Sequence, residues 1–157
     1  LAQLINVIAP VITKPGGGIF KQTTYYPFVQ AAESAGGKVL KTFVNSPEKE
    51  TPMYGPVPGV QSSLVYQEEK GVITLFALNT FNNDSAEFTV DLRSFGNVEF
   101  VSHYEMSGSD LHAKNSFAET QKVLPREAQT MPAVDSAGKI SVVFQPLSWN
   151  TVKFRVK

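Results

Sequence analysis

The 157-residue sequence contains no cysteine. That excludes a disulfide framework, a thiolate metal site and a thiol nucleophile, and it leaves the cellular compartment open. It has no charge excess either: 14 basic residues balance 14 acidic ones, so no electrostatic reason exists to propose nucleic acid or an anionic membrane as partner. No apolar run reaches the roughly 18 residues needed to cross a bilayer as a helix. Neither GxGxxG nor GxxxxGK[ST] occurs, so no phosphate loop is expected. Internal repeats and low-complexity tracts are also missing. Only two histidines and one tryptophan are present, which narrows the candidates for acid–base chemistry and for sugar stacking.

What is present divides into two regions. In the first, Leu1, Leu4, Ile5, Ile8, Val11 and Ile12 recur at helical spacing, predicting an amphipathic helix that ends near Pro10. This stripe runs from residue one without a capping residue or a basic leader, so the sequence is expected to start inside a larger protein. A helix cut from its neighbours would leave its apolar stripe exposed or seeking another partner. The loop TKPGGG follows, then a β-prone run, IFKQTT. A second helix is expected from about Pro27, with a stripe of Phe28, Ala31, Ala32 and Ala35 and a stop at Gly36-Gly37. Helix, loop, strand and helix is the grammar of a βα-repeat protein, but this piece is too short to close a sheet.

From about Lys38 the apolar period changes to two. Phe88, Val90 and Leu92 alternate with Glu87, Thr89 and Asp91; Val152, Phe154 and Val156 alternate with Lys153, Arg155 and Lys157. VQSSLVYQ, VITLFALN, VEFVSHYEM and KISVVFQ have similar length and β-branched or aromatic content. Turn chemistry separates them at EEKG (68–71), NNDS (82–85), SFGN (94–97) and DSAG (135–138). Residues 45–59, with four prolines, are expected to be a linker or long loop, and 107–134 an irregular polar segment. Short antiparallel strands with one apolar face imply two packed sheets, a β-sandwich.

Residue chemistry alone supplies no complete active site. His103 lies within a strand pattern and is expected on a sheet face. His112 follows Asp110 by two residues in a loop, but no third ligand stands at metal-binding spacing, and no cofactor is expected. The carboxylates fall mostly in turns or on polar strand faces, where they are simply hydrated. Trp149 would be a sugar platform if exposed, but a lone tryptophan entering a terminal strand favours packing.

Taken together, LAQLINVIAPVIT, PGG, KQTTYYPF, DLRSFG, DLHAKNSFAETQKVLPRE and PLSWNTVKF resemble the C-terminal part of the α-L-arabinofuranosidases of glycoside hydrolase family 51. The resemblance covers essentially the whole chain, and its helix–loop–QT–YPF block is the most specific part. It implies a (β/α)8 barrel carrying the chemistry, followed by a sandwich of jelly-roll type. Residues 1–37 would then be the last elements of the barrel and 38–157 the sandwich. Members of this family are retaining enzymes whose two catalytic glutamates would lie upstream of Leu1, so no catalytic residue is expected within this chain. One substrate contact would remain. The family's Trp-Arg-Gln-Thr motif contains a glutamine that hydrogen-bonds arabinose, and its position is similar to Gln22. Here Phe20 and Lys21 replace the Trp-Arg pair. The alternative role for Gln22 is to satisfy backbone at a strand end. The implied partners are arabinose-containing polysaccharides or oligosaccharides and, in a homo-oligomer, further copies of the same chain. The rival reading is a non-catalytic carbohydrate-binding or oligomerisation module. Against a binding module, Tyr54, Tyr66, Tyr104 and Trp149 are scattered over different elements.

Overall fold

A computed structural model describes residues 3–135 and 138–157. Leu1, the first member of the expected stripe, and two residues of the DSAG turn lie outside the described residues. Residues 3–10 do not form the helix that their spacing predicts. Asn6, Val7 and Ile8 take φ values of 53°, 36° and 51°, which a right-handed helix excludes. Local polar chemistry overrides the apolar period here. The Asn6 N–H donates to the Val11 carbonyl at 2.8 Å. Its side chain donates to Thr13 Oγ1 at 3.0 Å and accepts the Thr13 N–H at 2.8 Å. Asparagine favours such local bonds over a helix ladder, and Pro10 has no N–H to contribute to one. The chain instead forms β1 (Val11–Thr13), antiparallel to β2 (Ile19–Lys21). The connecting loop turns through Gly16, Gly17 and Gly18, all at positive φ, a conformation that glycine adopts without a steric penalty.

Helix α1 (Tyr25–Glu33) follows, with Pro27 in its first turn, where a missing N–H costs nothing. It ends at Ser34, and Gly36 at φ 83° redirects the chain into β3 (Lys38–Val39). The proline-rich segment is not a simple loop: β4 (Glu48–Thr51) and β5 (Gly55–Pro58) make a two-stranded hairpin. Pro56 and Pro58 pair with Glu50 and Glu48, alternating with Val57 and Gly55. The missing N–H groups therefore fall on one outer side, and the ladder uses the residues between them.

The expected period-two segments all become strands: β6 (Val60–Gln67), β7 (Val72–Asn79), β8 (Ala86–Val90), β9 (Val98–Met106), β12 (Ile140–Phe144) and β13 (Ser148–Val156). Among the described residues, the polar segment between β9 and β12 contains only the short β10 (Arg126–Glu127) and β11 (Ala133–Val134). The large sheet runs β10-β9-β13-β7-β6-β3 and the small one β11-β12-β8. The protein is mainly β.

The two sheets face each other over one core. Leu64, Ile73, Leu75, Ala77, Val152 and Phe154 come from the large sheet, and Val90, Ile140, Val142 and Phe144 from the small one. The alternate residues of β7 and β13 explain why VITLFALN is apolar throughout. Phe76, on the outer face, stacks on Trp149 with ring centroids 5.8 Å apart, and α1 covers this side. Trp149 Nε1 donates to Gln30 Oε1 at 2.8 Å, as does Thr151 Oγ1 at 3.0 Å. Gln67 Nε2 donates to the Glu33 carbonyl at 3.0 Å. The central strands are thus buried on both faces.

Candidate functional site

Gln22 follows β2 directly, at the point where the chain enters α1. Its backbone N–H donates to the Pro10 carbonyl at 2.7 Å, and its carbonyl accepts from Tyr25 N at 3.0 Å. Its side-chain Nε2 donates to the Ala9 carbonyl at 2.8 Å. In this chain one face of the amide satisfies backbone and holds the end of the β1–β2 hairpin closed. A carboxamide carries a second N–H and a carbonyl oxygen with two acceptor sites, so this bond does not exhaust its hydrogen-bonding capacity.

The two residues before it do not act as a stacked pair. Phe20 meets Phe117 edge-on, with centroids 4.8 Å apart at 87°. The Lys21 ammonium lies 4.6 Å from the centre of the Tyr25 ring. Adjacent strand residues point to opposite faces, so Phe20 and Lys21 serve different neighbours. Phe117 is supplied by the segment between β9 and β10, as is Asn115, whose Nδ2 donates to the Lys21 carbonyl at 2.8 Å. Sequence reasoning does not single out either residue. A buried amide in an irregular polar stretch carries no periodic signature.

The remaining candidates separate. His103 is a sheet-face residue of β9, on the face turned to the core; it is 2% exposed, and its Nε2 bonds Asn150 Oδ1 at 2.9 Å. Asn150 in turn donates to Ser148 Oγ at 2.8 Å, so the imidazole belongs to a buried polar network. Asp110 Oδ1 accepts the backbone N–H of His112 at 2.9 Å, which is a local turn closure with no acid–base contact to the ring. Among the described residues, no group of three or more His, Asp or Glu side chains could hold a metal ion. Trp149 is occupied by Phe76 and Gln30. Tyr54 and Tyr104 are exposed, but they lie on the β4–β5 turn and on β9, so they form no platform together.

Beside Gln22, the N-terminal segment presents an apolar surface. Leu4, Ile5, Val7 and Ile8 are exposed, Val7 by 68% and Ile8 by 76%, as are Ile19 on β2 and Phe28 on α1. Several large apolar side chains are therefore exposed on the elements that flank Gln22, and such a concentration marks a surface that meets a partner.

Comparison with known proteins identifies the relationship. A family model described as the α-L-arabinofuranosidase C-terminal domain matches residues 1–148. The chain belongs to this family. It is 35% identical over 153 residues to an intracellular exo-α-(1→5)-L-arabinofuranosidase of Streptomyces lividans, covering 98% of this chain and 23% of that protein. It is 36% identical over 153 residues to an exo-α-(1→6)-L-arabinofuranosidase of Bifidobacterium longum, covering 97% of this chain and 29% of that enzyme. Among solved structures, a family 51 α-L-arabinofuranosidase from Bifidobacterium longum superposes with a TM-score of 0.87 at 28% identity, covering 98% of this chain and 30% of that one. The family 51 arabinofuranosidase from Xanthomonas axonopodis pv. citri gives 0.83 at 21% identity, covering 98% and 30%, which shows a shared fold. The chain thus spans under a third of the length of these relatives. The superpositions cover residues on both sides of Lys38, so the family relationship includes the Gln22 segment as well as the two sheets.

Proposed function

We propose that this chain is the C-terminal part of a retaining α-L-arabinofuranosidase that releases terminal arabinofuranosyl groups from arabinan or arabinoxylan. In this reading residues 1–37 are the last elements of a (β/α)8 barrel, and 38–157 form a jelly-roll sandwich that buttresses it. The catalytic glutamates lie on barrel strands outside this chain. Gln22 stands at the C-terminal end of β2, where βα-barrels place their functional groups, and its carboxamide hydrogen-bonds neighbouring sugar hydroxyls.

The observation that carries this reading is the exposure of the apolar side chains of Leu4, Ile5, Val7, Ile8, Ile19 and Phe28 on the elements that flank Gln22. Beside relatives more than three times as long, these side chains are the surface that neighbouring barrel elements cover in this reading. The relatives named for (1→5) and (1→6) action are nearly equally similar, so the proposal is restricted to the arabinofuranosyl group and leaves the linkage free. A binding module would need a shared aromatic platform, and the dispersal of Tyr54 and Tyr104 argues against one. Homo-oligomerisation is part of the same proposal, and light scattering on the full-length protein tests it.

The test is hydrolysis of an aryl α-L-arabinofuranoside by the full-length protein and by this chain. Turnover is expected only from the former. Turnover by the isolated chain, or an inert full-length protein, overturns the reading. Gln22→Ala in the full-length protein is expected to lower kcat/KM at least about tenfold, the scale of a lost polar contact to a bound substrate.

A further inference from the structure

The segment between β9 and β10 leaves the sandwich and grips the β1–β2 hairpin. Asn115 is the centre of the grip. It is 4% exposed and its carboxamide makes three hydrogen bonds. Nδ2 donates to the Lys21 carbonyl at 2.8 Å and to the Val123 carbonyl at 2.9 Å, and Oδ1 accepts the Val123 N–H at 2.7 Å. Two of these bonds hold the loop to itself, and the third crosses to a residue 94 positions earlier in the chain.

Two further contacts secure the same strand. Phe117 meets Phe20 edge-on, and the Lys14 ammonium sits 4.7 Å from the Phe117 ring centre, closing over it from the hairpin loop. The loop that delivers these residues is itself braced. Ser116 N–H donates to the Glu119 carbonyl, and Glu119 N–H donates to Ser116 Oγ, both at 3.1 Å.

Lys21 is one peptide unit from Gln22. A carbonyl fixed at Lys21 fixes the plane of the peptide that joins Lys21 to Gln22, because that unit is rigid. From this geometry we infer that Asn115 is a positioning residue: the sandwich, chiefly through this amide, helps to set where Gln22 stands. The inference rests on the reading of Gln22 as a sugar contact. It gives the domain a part in substrate binding beyond buttressing.

Only an amide at position 115 can serve, because the site requires two donated bonds and one accepted bond at the same planar group. Asn115→Asp preserves shape and keeps the acceptor for Val123 N–H, but sets a carboxylate against two carbonyl oxygens. In the full-length protein this variant is expected to lower kcat/KM on an aryl α-L-arabinofuranoside by about ten- to a hundredfold, the range in which small misplacements act. Backbone amides of residues 20–23 are expected to exchange hydrogen at least about tenfold faster, as for a locally loosened segment. In a Gln22→Ala background, Asn115→Asp should cause no further loss, since it acts through that residue.

Normal activity of Asn115→Asp beside an impaired Gln22→Ala overturns the positioning role and leaves the reading of Gln22 intact. Losses that simply multiply in the double variant overturn it too. Normal activity of Gln22→Ala removes the sugar contact itself, and with it the inference. Should Asn115→Asp fail to accumulate, Phe117→Ala loosens the same strand from its other contact. It is then expected to give the same exchange pattern and the same non-additivity with Gln22→Ala, and unchanged exchange at residues 20–23 would overturn the proposal.

Discussion

Replacing Gln30 by alanine tests how the helix is held to the sheet. The Gln30 oxygen accepts from both Trp149 Nε1 and Thr151 Oγ1. Truncation removes two hydrogen bonds, each contributing about 1 kcal/mol. Thr151 is 2% exposed, so its hydroxyl would be left buried without this acceptor at a further cost of about 1–2 kcal/mol, whereas the partly exposed Trp149 can turn toward water. The sum is about 3–4 kcal/mol. With a urea dependence of about 2 kcal/mol/M for a domain of this size, the midpoint should fall by about 1.5–2 M. Trp149 is the only tryptophan, so its emission reports directly on the docking surface and should shift to the red in Gln30→Ala. Gln30→Glu should retain most of the stability, because a carboxylate still accepts both bonds. If Gln30→Ala keeps the original emission maximum and urea midpoint, Gln30 does not hold the helix to the sheet.

Two further predictions address the core and the acid side of the stability profile. Phe144 is fully buried between Phe88 and His103; Phe144→Ala should cost about 3–5 kcal/mol and lower Tm by about 10 °C in calorimetry, and a loss below about 1 kcal/mol would contradict the assigned core. Asp91 accepts a forked pair of bonds from Arg93, Nε to Oδ1 at 2.8 Å and a terminal nitrogen to Oδ2 at 2.6 Å. The Arg93 side chain first, and its backbone N–H second, lower the carboxyl from 3.8 to about 2. Because the folded value lies below the unfolded one, the stabilisation is complete above about pH 4 and is lost as pH falls toward 2. Both partners are about half exposed, so the effect is small. An NMR titration should find the Asp91 carboxyl low in the intact protein and near its ordinary value in Arg93→Ala.

Much of the sheet architecture is legible from alternation. The strands from Val60 onward follow period-two patterning, and turn residues separate them, because one face of each must meet the core. VITLFALN is legible as a strand but not as one covered on both sides; that depends on α1, whose docking residue Gln30 has no sequence signature. The N-terminal segment misleads for a physical reason. Leu4, Ile5 and Ile8 have helical spacing, but Asn6 closes a turn with Val11 and Thr13, and one local polar side chain outweighs a short apolar period. The prolines of 45–59 suggest a loop because proline usually breaks a ladder, yet two prolines in alternate positions spare it. Gln22 emerges only from family resemblance. Asn115 stays hidden because its importance depends on a partner 94 residues away.

The position of β13 has a consequence for biosynthesis. It comes last among the strands, yet it lies between β7 and β9 at the middle of the large sheet and pairs with both. It also carries Trp149, Thr151 and Lys153, which reach α1 through Gln30 and Glu33. A ribosome must therefore deliver residues 148–156 before the sheet can join its two halves or the helix can dock. Until then β7, with its apolar faces on both sides, has no partner along one edge and must be kept from pairing with another chain. Loss of the β13 residues alone would leave two half-sheets and an undocked helix.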